Sequence, residues 1–358
     1  EQRVSNLIDE LLAQHPPAET KPVDFLGAQF DAGLAWIHFP EGHGGLGLSP
    51  KLQRMVNERV YGAGGPNAMY RNPIGHGMCG PTVVAWGSEE QKARYLRPLF
   101  TGEEVWCQLF SEPGSGSDFA GLSATGVRDG DEWICNGQKV WTTLAHKSDY
   151  GLVVARTDPD QVKHAGISMF IIDMRGQGVE IRPIHQIDGG MRFNEVFFTD
   201  VELQADHLLG PEHGGWGVGM AVLTSERGHI GTAVISLERR LDQMMRLSEG
   251  RQLDASSRQD LMRLVSTGNA YKAMAQRQGP VASTAASLMK LGITQMTFDA
   301  SMLRGDLAGP DGMLDGPDAS GMLAAPGGRI AGGTSEVQRN IIGERLLGLP
   351  REPKPESS

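Results

Sequence analysis

ISMFIID, residues 167–173, is a short run of β-branched and aromatic side chains, and it decides the fold class of this 358-residue chain. Three similar runs lie around it, separated by turn residues such as those of Arg128–Asp131: EWICNG (132–137), YGLVVART (150–157) and EVFFTDV (195–201). Short runs of this kind between polar turns are typical of an antiparallel sheet or a small β-barrel. The sequence therefore predicts a middle β domain over residues 104–208.

Helical patterns lie on both sides of this β domain. Towards the N-terminus, apolar residues recur at helical spacing from Val4 to Leu12. Ser88 and Gln91 form a capping box that predicts a helix running to Phe100. After about residue 213 the apolar pattern predicts four more helices, near residues 217–247, 256–275, 281–304 and 334–347.

The segment 305–328, before the last of these helices, is rich in Gly, Pro and Asp and has no periodicity, so it predicts a long loop. The order helices, sheet, helices differs from the strand–helix alternation of a doubly wound fold. We therefore predict an α+β fold that is mostly α, with three domains: residues 1–103, 104–208 and 209–358.

The composition and the residue spacing argue against several classes of protein. A net charge of −10 argues against nucleic acid as a partner, and the chain has no apolar run near the roughly 20 residues that span a bilayer. The N-terminus shows no signal-peptide pattern. The three cysteines and ten histidines lack metal-site spacing, and the cysteines lack disulfide spacing. We expect a cytoplasmic protein without a metal site.

The segment GHGGLG (residues 42–47) matches a dinucleotide-binding motif, but its surroundings do not. The next helix begins late, at Ser49 and Pro50, and no second strand follows that helix, so the strand–helix–strand context of the motif is missing. We interpret the segment as a loop of small residues packed against its neighbours.

One carboxylate lies on an apolar helical stripe. On a helix, Glu226 shares a face with Val222, Leu223 and Ile230, whereas Arg227 points elsewhere. A carboxylate that faces a core is rare unless it is paired or functional. Burial would raise the pKa of this carboxylate, which suits a general base. A structural Glu paired with an Arg fits the same pattern, so both interpretations stay open at this point.

Three motifs occur in a fixed order: QLFSEPGSGSD (108–118), NGQKVWTT (136–143) and GGTSEVQRN (332–340). By these motifs the chain resembles the acyl-CoA dehydrogenase family over nearly its whole length. The resemblance implies an N-terminal helical domain, a middle β-barrel domain and a C-terminal four-helix bundle. It also implies FAD-dependent α,β-dehydrogenation of an acyl-CoA thioester to the 2-enoyl-CoA, in fatty-acid or steroid side-chain β-oxidation.

The resemblance gives residues of each motif a role. Trp141 would cover the flavin ring, and Thr143 would form a hydrogen bond near flavin N5. The acyl-CoA would contact Ser117 and Arg227. The residues implied to contact FAD are Gln108, Phe110, Ser111, Trp141, Thr143, Thr334 and Glu336. The structural alternatives are a turn for the Ser/Gly run, a core position for Trp141 and a helix cap for Thr334.

Many relatives place the catalytic Glu immediately before Gly-Thr-Ser, where this chain has Gly332. A minority, similar to isovaleryl- and long-chain-acyl-CoA dehydrogenases, carry the base on the long helix, at the position of Glu226. The resemblance therefore implies that Glu226 takes the C2 proton while the C3 hydride passes to flavin N5. Gly332 would leave room for this base, and its N–H would polarise the thioester carbonyl.

Two family elements that reach the FAD of a neighbouring subunit are absent. Residues 249–261 contain Arg251 but lack an Arg-x-x-Phe-Gly sequence, and segment 305–328 stands where relatives have Gln-x-Leu-Gly-Gly. The resemblance then implies an α2β2 heterotetramer with a second acyl-CoA dehydrogenase-like chain, as in some actinobacterial relatives. A homo-oligomer is the alternative. Electron-transfer flavoprotein would accept the electrons. Two other functions stay open: a non-catalytic structural subunit and a flavin-dependent acyl-CoA oxidase.

Overall fold

The computed structural model of the chain describes residues 1–228, 241–246, 248–250, 252–275 and 282–351. The chain divides into two compact units. The first contains Glu1–Ile184 and Met191–Ser225, and the second contains His185–Gly190 and Glu226–Ser358. Within the described residues, no helix has the length and apolar character needed to cross a membrane. The same residues contain no group of three or more His, Cys, Asp or Glu that could hold a metal ion.

Helices form the N-terminal part of the first unit. They are α1 (Gln2–Gln14), α2 (Pro22–Asp31), α3 (Gln53–Gly62), α4 (Ala68–Arg71), α5 (Gly80–Trp86) and α6 (Glu89–Thr101). The predicted capping box of α6 is confirmed, because Ser88 Oγ accepts from the Gln91 N–H at 3.2 Å and the Gln91 side chain accepts from the Ser88 N–H at 3.0 Å. The predicted apolar face of α1 is also confirmed, since Val4, Ile8 and Leu11 are buried.

The glycine loop before α3 packs as the sequence predicted. A Cβ on Gly44 would lie 2.5 Å from the Phe30 ring, and a Cβ on Gly45 would lie 2.2 Å from the Phe39 carbonyl oxygen. Only glycine fits such close approaches. The small residues of this loop are therefore explained by packing against their neighbours.

Seven strands in the described residues form one sheet. They are β1 (Trp106–Leu109), β2 (Thr125–Asp129), β3 (Glu132–Thr143), β4 (Tyr150–Arg156), β5 (Ile167–Asp173), β6 (Val179–Pro183) and β7 (Phe193–Leu203). The predicted antiparallel pairing holds for β2–β3, β3–β7, β4–β5 and β6–β7. Two pairings are parallel, β1–β4 and the single contact of β2 with β4. The sheet buries a core that includes Trp133, Phe170 and Val196.

The C-terminal part of the chain is helical. Its elements are α7 (Gly215–Gly228), a helical stretch at 241–246, α8 (Ala255–Ala275), α9 (Ala282–Ala308), α10 (Pro317–Ile330) and α11 (Ser335–Ile341), which continues as a π-helical turn, Ile342–Leu346. The helices predicted near 256–275, 281–304 and 334–347 are confirmed with small shifts of their ends. The helix predicted near 217–247 is confirmed as far as Gly228, and residues 229–240 lie outside the described part.

The prediction of a long loop over residues 305–328 is wrong. Helix α9 runs on to Ala308, and α10 begins at Pro317, which occupies a first-turn position where proline is well tolerated. Two tertiary contacts account for the helix. A Cβ on Gly305 would lie 2.0 Å from Met322 Sδ, so this glycine lets α10 pack closely on α9, and Arg304 forms an ion pair with Asp318. Packing here overrides the low helix propensity of glycine and proline.

Candidate functional site

The first two motifs are neighbours in the first unit. The Val140 N–H donates to the Ser111 carbonyl oxygen at 2.8 Å, which ties the segment after β1 to β3. Phe110 is buried and packs against Phe119 with 4.8 Å between ring centroids. Gln108, at the end of β1, is half-buried. The structure therefore brings the predicted residues Gln108, Phe110 and Ser111 beside the β3 motif.

Trp141 lies on an irregularity of β3, where the pairing with β7 shifts register between Lys139 and Thr142. Its backbone has φ +61°, in the left-handed region, and its side chain is 59% exposed. The indole meets the Phe193 ring edge-on at 6.1 Å. A bulky residue in this conformation costs roughly 1–3 kcal/mol, and such residues cluster at functional sites. The interpretation of Trp141 as a core residue of the β domain is therefore wrong.

Thr143 follows this irregularity and is half-buried. It pairs in register with Phe193 of β7, the same residue that contacts the Trp141 ring. Between them, Thr142 is buried and its carbonyl oxygen accepts from Asn194 Nδ2 at 2.9 Å. Trp141 and Thr143 are thus more exposed than the buried Thr142 that separates them in β3.

A buried ion pair joins the two motifs. Lys139 is fully buried, and its Nζ lies 2.7 Å from Glu112 Oε1 and 3.3 Å from the Phe110 carbonyl oxygen. Glu112 Oε2 accepts from the N–H and the hydroxyl of Ser123, each at 2.7 Å, and Oε1 accepts from the Ala124 N–H at 3.0 Å. Every oxygen of the buried carboxylate therefore has a donor, as a buried charge requires.

Burial raises the pKa of the Glu112 carboxyl, but the Lys139 ammonium and the hydrogen bonds from Lys139 and Ser123 lower it more, so its pKa lies below its ordinary value. Both residues stand in the quoted motifs, yet no role was predicted for either of them. A signal existed: Trp133, Cys135 and Lys139 share the inward face of β3 at the two-residue period of a strand. A lysine on that face predicts a buried partner.

Ser117 lies on an exposed loop between Glu112 and the 3-10 turn at Phe119–Gly121. The loop is closed by two backbone hydrogen bonds between Glu112 and Ser115, at 2.8 and 3.1 Å. Asp118 next to it forms an exposed ion pair with Lys163 at 2.7 Å. Ser117 is therefore exposed on this loop, two residues beyond the Glu112–Ser115 turn, and its contact with a ligand stays a prediction.

The third motif lies in the second unit, in the turn after α10 and in α11 itself. Gly332 and Gly333 have φ values of +68° and +91°, both left-handed. Thr334 caps α11, because its Oγ1 accepts from the Val337 N–H at 3.3 Å. Glu336 is exposed in the first turn, and hydrogen bonding at the helix start lowers its pKa, as expected for an acid at a helix N-terminus. Thr334 thus acts as the helix cap that was the structural alternative, and its contact with FAD stays a prediction.

Glu226 lies in α7, one helical turn beyond the buried Val222. Leu223, three residues before it, is half-buried. The side chains of Glu226 and Arg227 lie outside the part of the chain that the structure describes. The roles of both residues remain predictions.

Comparison with known proteins covers all three parts of the chain. Models of the acyl-CoA dehydrogenase N-terminal, middle and C-terminal domains match residues 2–103, 107–201 and 213–347. Acyl-CoA dehydrogenase IpdE1 of Mycobacterium tuberculosis is 39% identical over 337 residues, 90% of this chain and 86% of that protein. Acyl-CoA dehydrogenase FadE29 of the same organism is 31% identical, over 95% of this chain and 91% of that protein.

Solved structures give the same result. A variant of the Tcur3481-Tcur3483 steroid ACAD aligns with a TM-score of 0.78 and 26% identity, over 97% of this chain and 99% of that chain. The ChsE4-ChsE5 complex from Mycobacterium tuberculosis aligns with a TM-score of 0.72 and 25% identity, over 98% of each chain. With three domain models and two relatives matched over most of their length in agreement, the chain belongs to the acyl-CoA dehydrogenase family of flavoprotein oxidoreductases and is an acyl-CoA dehydrogenase.

Proposed function

We propose that this chain is the catalytic subunit of an FAD-dependent enzyme that converts an acyl-CoA thioester to its 2-enoyl-CoA. The observation that carries the proposal is Trp141, a largely exposed indole held in a left-handed backbone beside Ser111 and Thr143. An exposed aromatic face on a fixed strand suits stacking on a planar ring. When bound, FAD supplies the acceptor for the hydride that leaves C3.

The flavin environment would come from residues of the first unit. Trp141 would cover the ring, and the Thr143 hydroxyl would donate or accept one hydrogen bond near N5. Gln108, Phe110 and Ser111 would line the same region from the end of β1. The Glu112–Lys139 pair fixes both segments relative to each other, because its hydrogen bonds include the Phe110 carbonyl oxygen. Thr334 and Glu336 would contact FAD from the start of α11.

Glu226 would accept the C2 proton, with Arg227 and Ser117 contacting the acyl-CoA. The backbone at position 332 is consistent with a base carried elsewhere in the chain. Gly332 has φ +68°, and a non-glycine residue in this region costs roughly 1–2 kcal/mol. The Gly332 N–H finds no acceptor among the described residues, so it is available to polarise a thioester carbonyl.

We also propose that the working enzyme is an α2β2 heterotetramer. The sequence lacks the two elements that would reach the FAD of a neighbouring subunit, and a pyrophosphate needs cationic and N–H donors. One solved relative is the ChsE4-ChsE5 complex and another is named Tcur3481-Tcur3483, each joining two proteins. The substrate would be a CoA thioester from fatty-acid or steroid side-chain degradation. The name of IpdE1, an acyl-CoA dehydrogenase, supports the CoA thioester, and the solved steroid ACAD supports a steroid group.

The test is to express the chain alone and together with an acyl-CoA dehydrogenase-like partner, and to measure FAD per protein and turnover with a dye or electron-transfer flavoprotein. We expect FAD and activity only in the complex. A lone chain that forms a homotetramer with one FAD per subunit and full activity contradicts the heterotetramer. Peroxide formed in step with substrate loss in air would identify an oxidase. A complex whose activity survives Glu226→Gln would identify a structural subunit.

A further inference from the structure

The Gly332–Gly333 turn has a conformation that its own residues do not enforce. Two consecutive glycines with φ +68° and +91° have the widest conformational freedom of any dipeptide. A hydrogen-bond donor that polarises a carbonyl must be fixed before the reaction, because reorganisation during the reaction removes its advantage. The turn therefore needs restraint from elsewhere in the second unit.

Lys290 of α9 supplies one restraint. Its ammonium donates to the Gly333 carbonyl oxygen at 2.5 Å and to the Arg329 carbonyl oxygen at 3.3 Å. Arg329 lies in the last turn of α10, where carbonyl groups lack partners within the helix and a cation is favourable. One side chain thus links the end of α10 to the turn that follows it.

Gln338 of α11 supplies the second restraint. It is 1% exposed, and its Nε2 donates to the Gly332 carbonyl oxygen at 3.1 Å. A Cβ on Gly333 would lie 2.7 Å from the same Nε2, so glycine is required for this contact as well as for the positive φ. The two carbonyls of the turn are therefore held by side chains from different helices, while the Gly332 N–H has no acceptor among the described residues.

We propose that Lys290 and Gln338 are positioning residues that fix the Gly332–Gly333 turn so that the Gly332 N–H meets the thioester carbonyl oxygen of the substrate. This inference rests on the proposed function. It predicts that loss of either side chain weakens the recognition of the carbonyl and leaves the recognition of the rest of the ligand intact. A displacement of about 1 Å at such a donor can cost roughly 100-fold in rate.

The experiment uses the assembled complex with Glu226→Gln to block turnover and compares two ligands, octanoyl-CoA and S-octyl-CoA, which lacks the carbonyl. Lys290→Met and Gln338→Met should each lower the affinity for octanoyl-CoA by about tenfold, the loss of one hydrogen bond of ordinary strength. Affinity for S-octyl-CoA should stay unchanged. Lys290→Arg should restore much of the preference, since it keeps a cationic donor. Lys92→Met, which removes a lysine paired with Glu89 on α6, is the matched control and should change neither affinity.

If Lys290→Met loses affinity equally for octanoyl-CoA and S-octyl-CoA, the role of Lys290 is merely structural and the inference is overturned. An unchanged preference for octanoyl-CoA in both Met variants would overturn it too. If the complex before these substitutions shows no preference for octanoyl-CoA, the carbonyl contact itself is refuted, and the inference with it. The proposed function is tested by a separate result: it fails if the Glu226→Gln complex retains wild-type turnover.

Discussion

Lys139→Met tests the buried ion pair of the first unit. Methionine keeps the length of the side chain but removes the ammonium, so the Glu112 carboxylate loses its charge partner 2.7 Å away and the Phe110 carbonyl loses a donor. Breaking a buried pair by removing one partner costs about 3–5 kcal/mol. Ser123 and Ala124 still donate three hydrogen bonds to the carboxylate, so we expect a loss near the lower end, about 3 kcal/mol.

The assay is urea unfolding followed by tryptophan fluorescence, since Trp133 is buried in the β-domain core. The midpoint shift times the slope gives the change in the free energy of unfolding. Lys163→Met is the matched control, because it breaks an ion pair of the same 2.7 Å length whose side chains are 51% and 59% exposed. Exposed pairs contribute about 0–1 kcal/mol. A Lys139→Met loss as small as that of the control would refute the reasoning.

The loss of stability in Lys139→Met should also depend on pH. The pKa of Glu112 is lower in the folded protein than the roughly 4.3 of an unfolded glutamate, so the pair contributes stability above pH about 4 that is lost as the pH falls through the folded value. Without Lys139, burial should raise the pKa of Glu112 instead, and protonation then relieves the buried charge. The difference in stability between wild type and variant should therefore be largest at neutral pH. It should shrink as the pH falls, first through the raised pKa of Glu112 in the variant and then through its lowered pKa in the wild type. A constant difference across this range would contradict the ionic account.

Three further predictions concern the proposed site, and a fourth, Gly321→Ala, is the matched control for the glycine substitution. Glu226→Gln should lower the turnover of the complex by at least about 100-fold while FAD stays bound, since it removes a general base but keeps the volume; wild-type turnover would refute the assignment. Thr143→Val should shift the flavin spectrum and the rate of flavin reduction but cost only about 1 kcal/mol in stability, whereas an unchanged spectrum and rate would exclude a contact near N5. Gly332→Ala should destabilise the protein by about 1 kcal/mol because of its φ of +68°, and Gly321→Ala, in the helix with open space at its Cβ, should stabilise it by about 0.5–1 kcal/mol in the same denaturation assay.

The fold was predictable where local signals agree with tertiary structure. The alternating pattern of β3 and the capping box of Ser88 can both be read from residues a few positions apart in the sequence, and the structure has both. The helix at Pro317–Ile330 was not predictable in this way, because it forms through contacts such as that of Gly305 with Met322, which the local composition does not reveal.

The features of the site were likewise predictable only where the sequence carries a local signal. The motifs were sufficient to predict that the segments of Ser111 and Trp141 lie close together, since both segments have a recognisable sequence. The left-handed backbone of Trp141 and the contact of Lys290 with the glycine turn were not readable, because φ at a non-glycine residue and the meeting of distant helices depend on the folded chain. The role of Glu226 stays a prediction, drawn from its place on an apolar stripe together with the family resemblance.

The buried pair of Glu112 and Lys139 also limits how this protein can evolve. A substitution at either position alone would lower the free energy of unfolding by about 3 kcal/mol. That is a large part of the 5–15 kcal/mol by which most domains are stable. Replacing both by apolar residues of similar volume can be neutral, but that route needs two changes at once. The two positions should therefore change together among homologues. Once both have become apolar, restoring the ion pair again needs two substitutions at once.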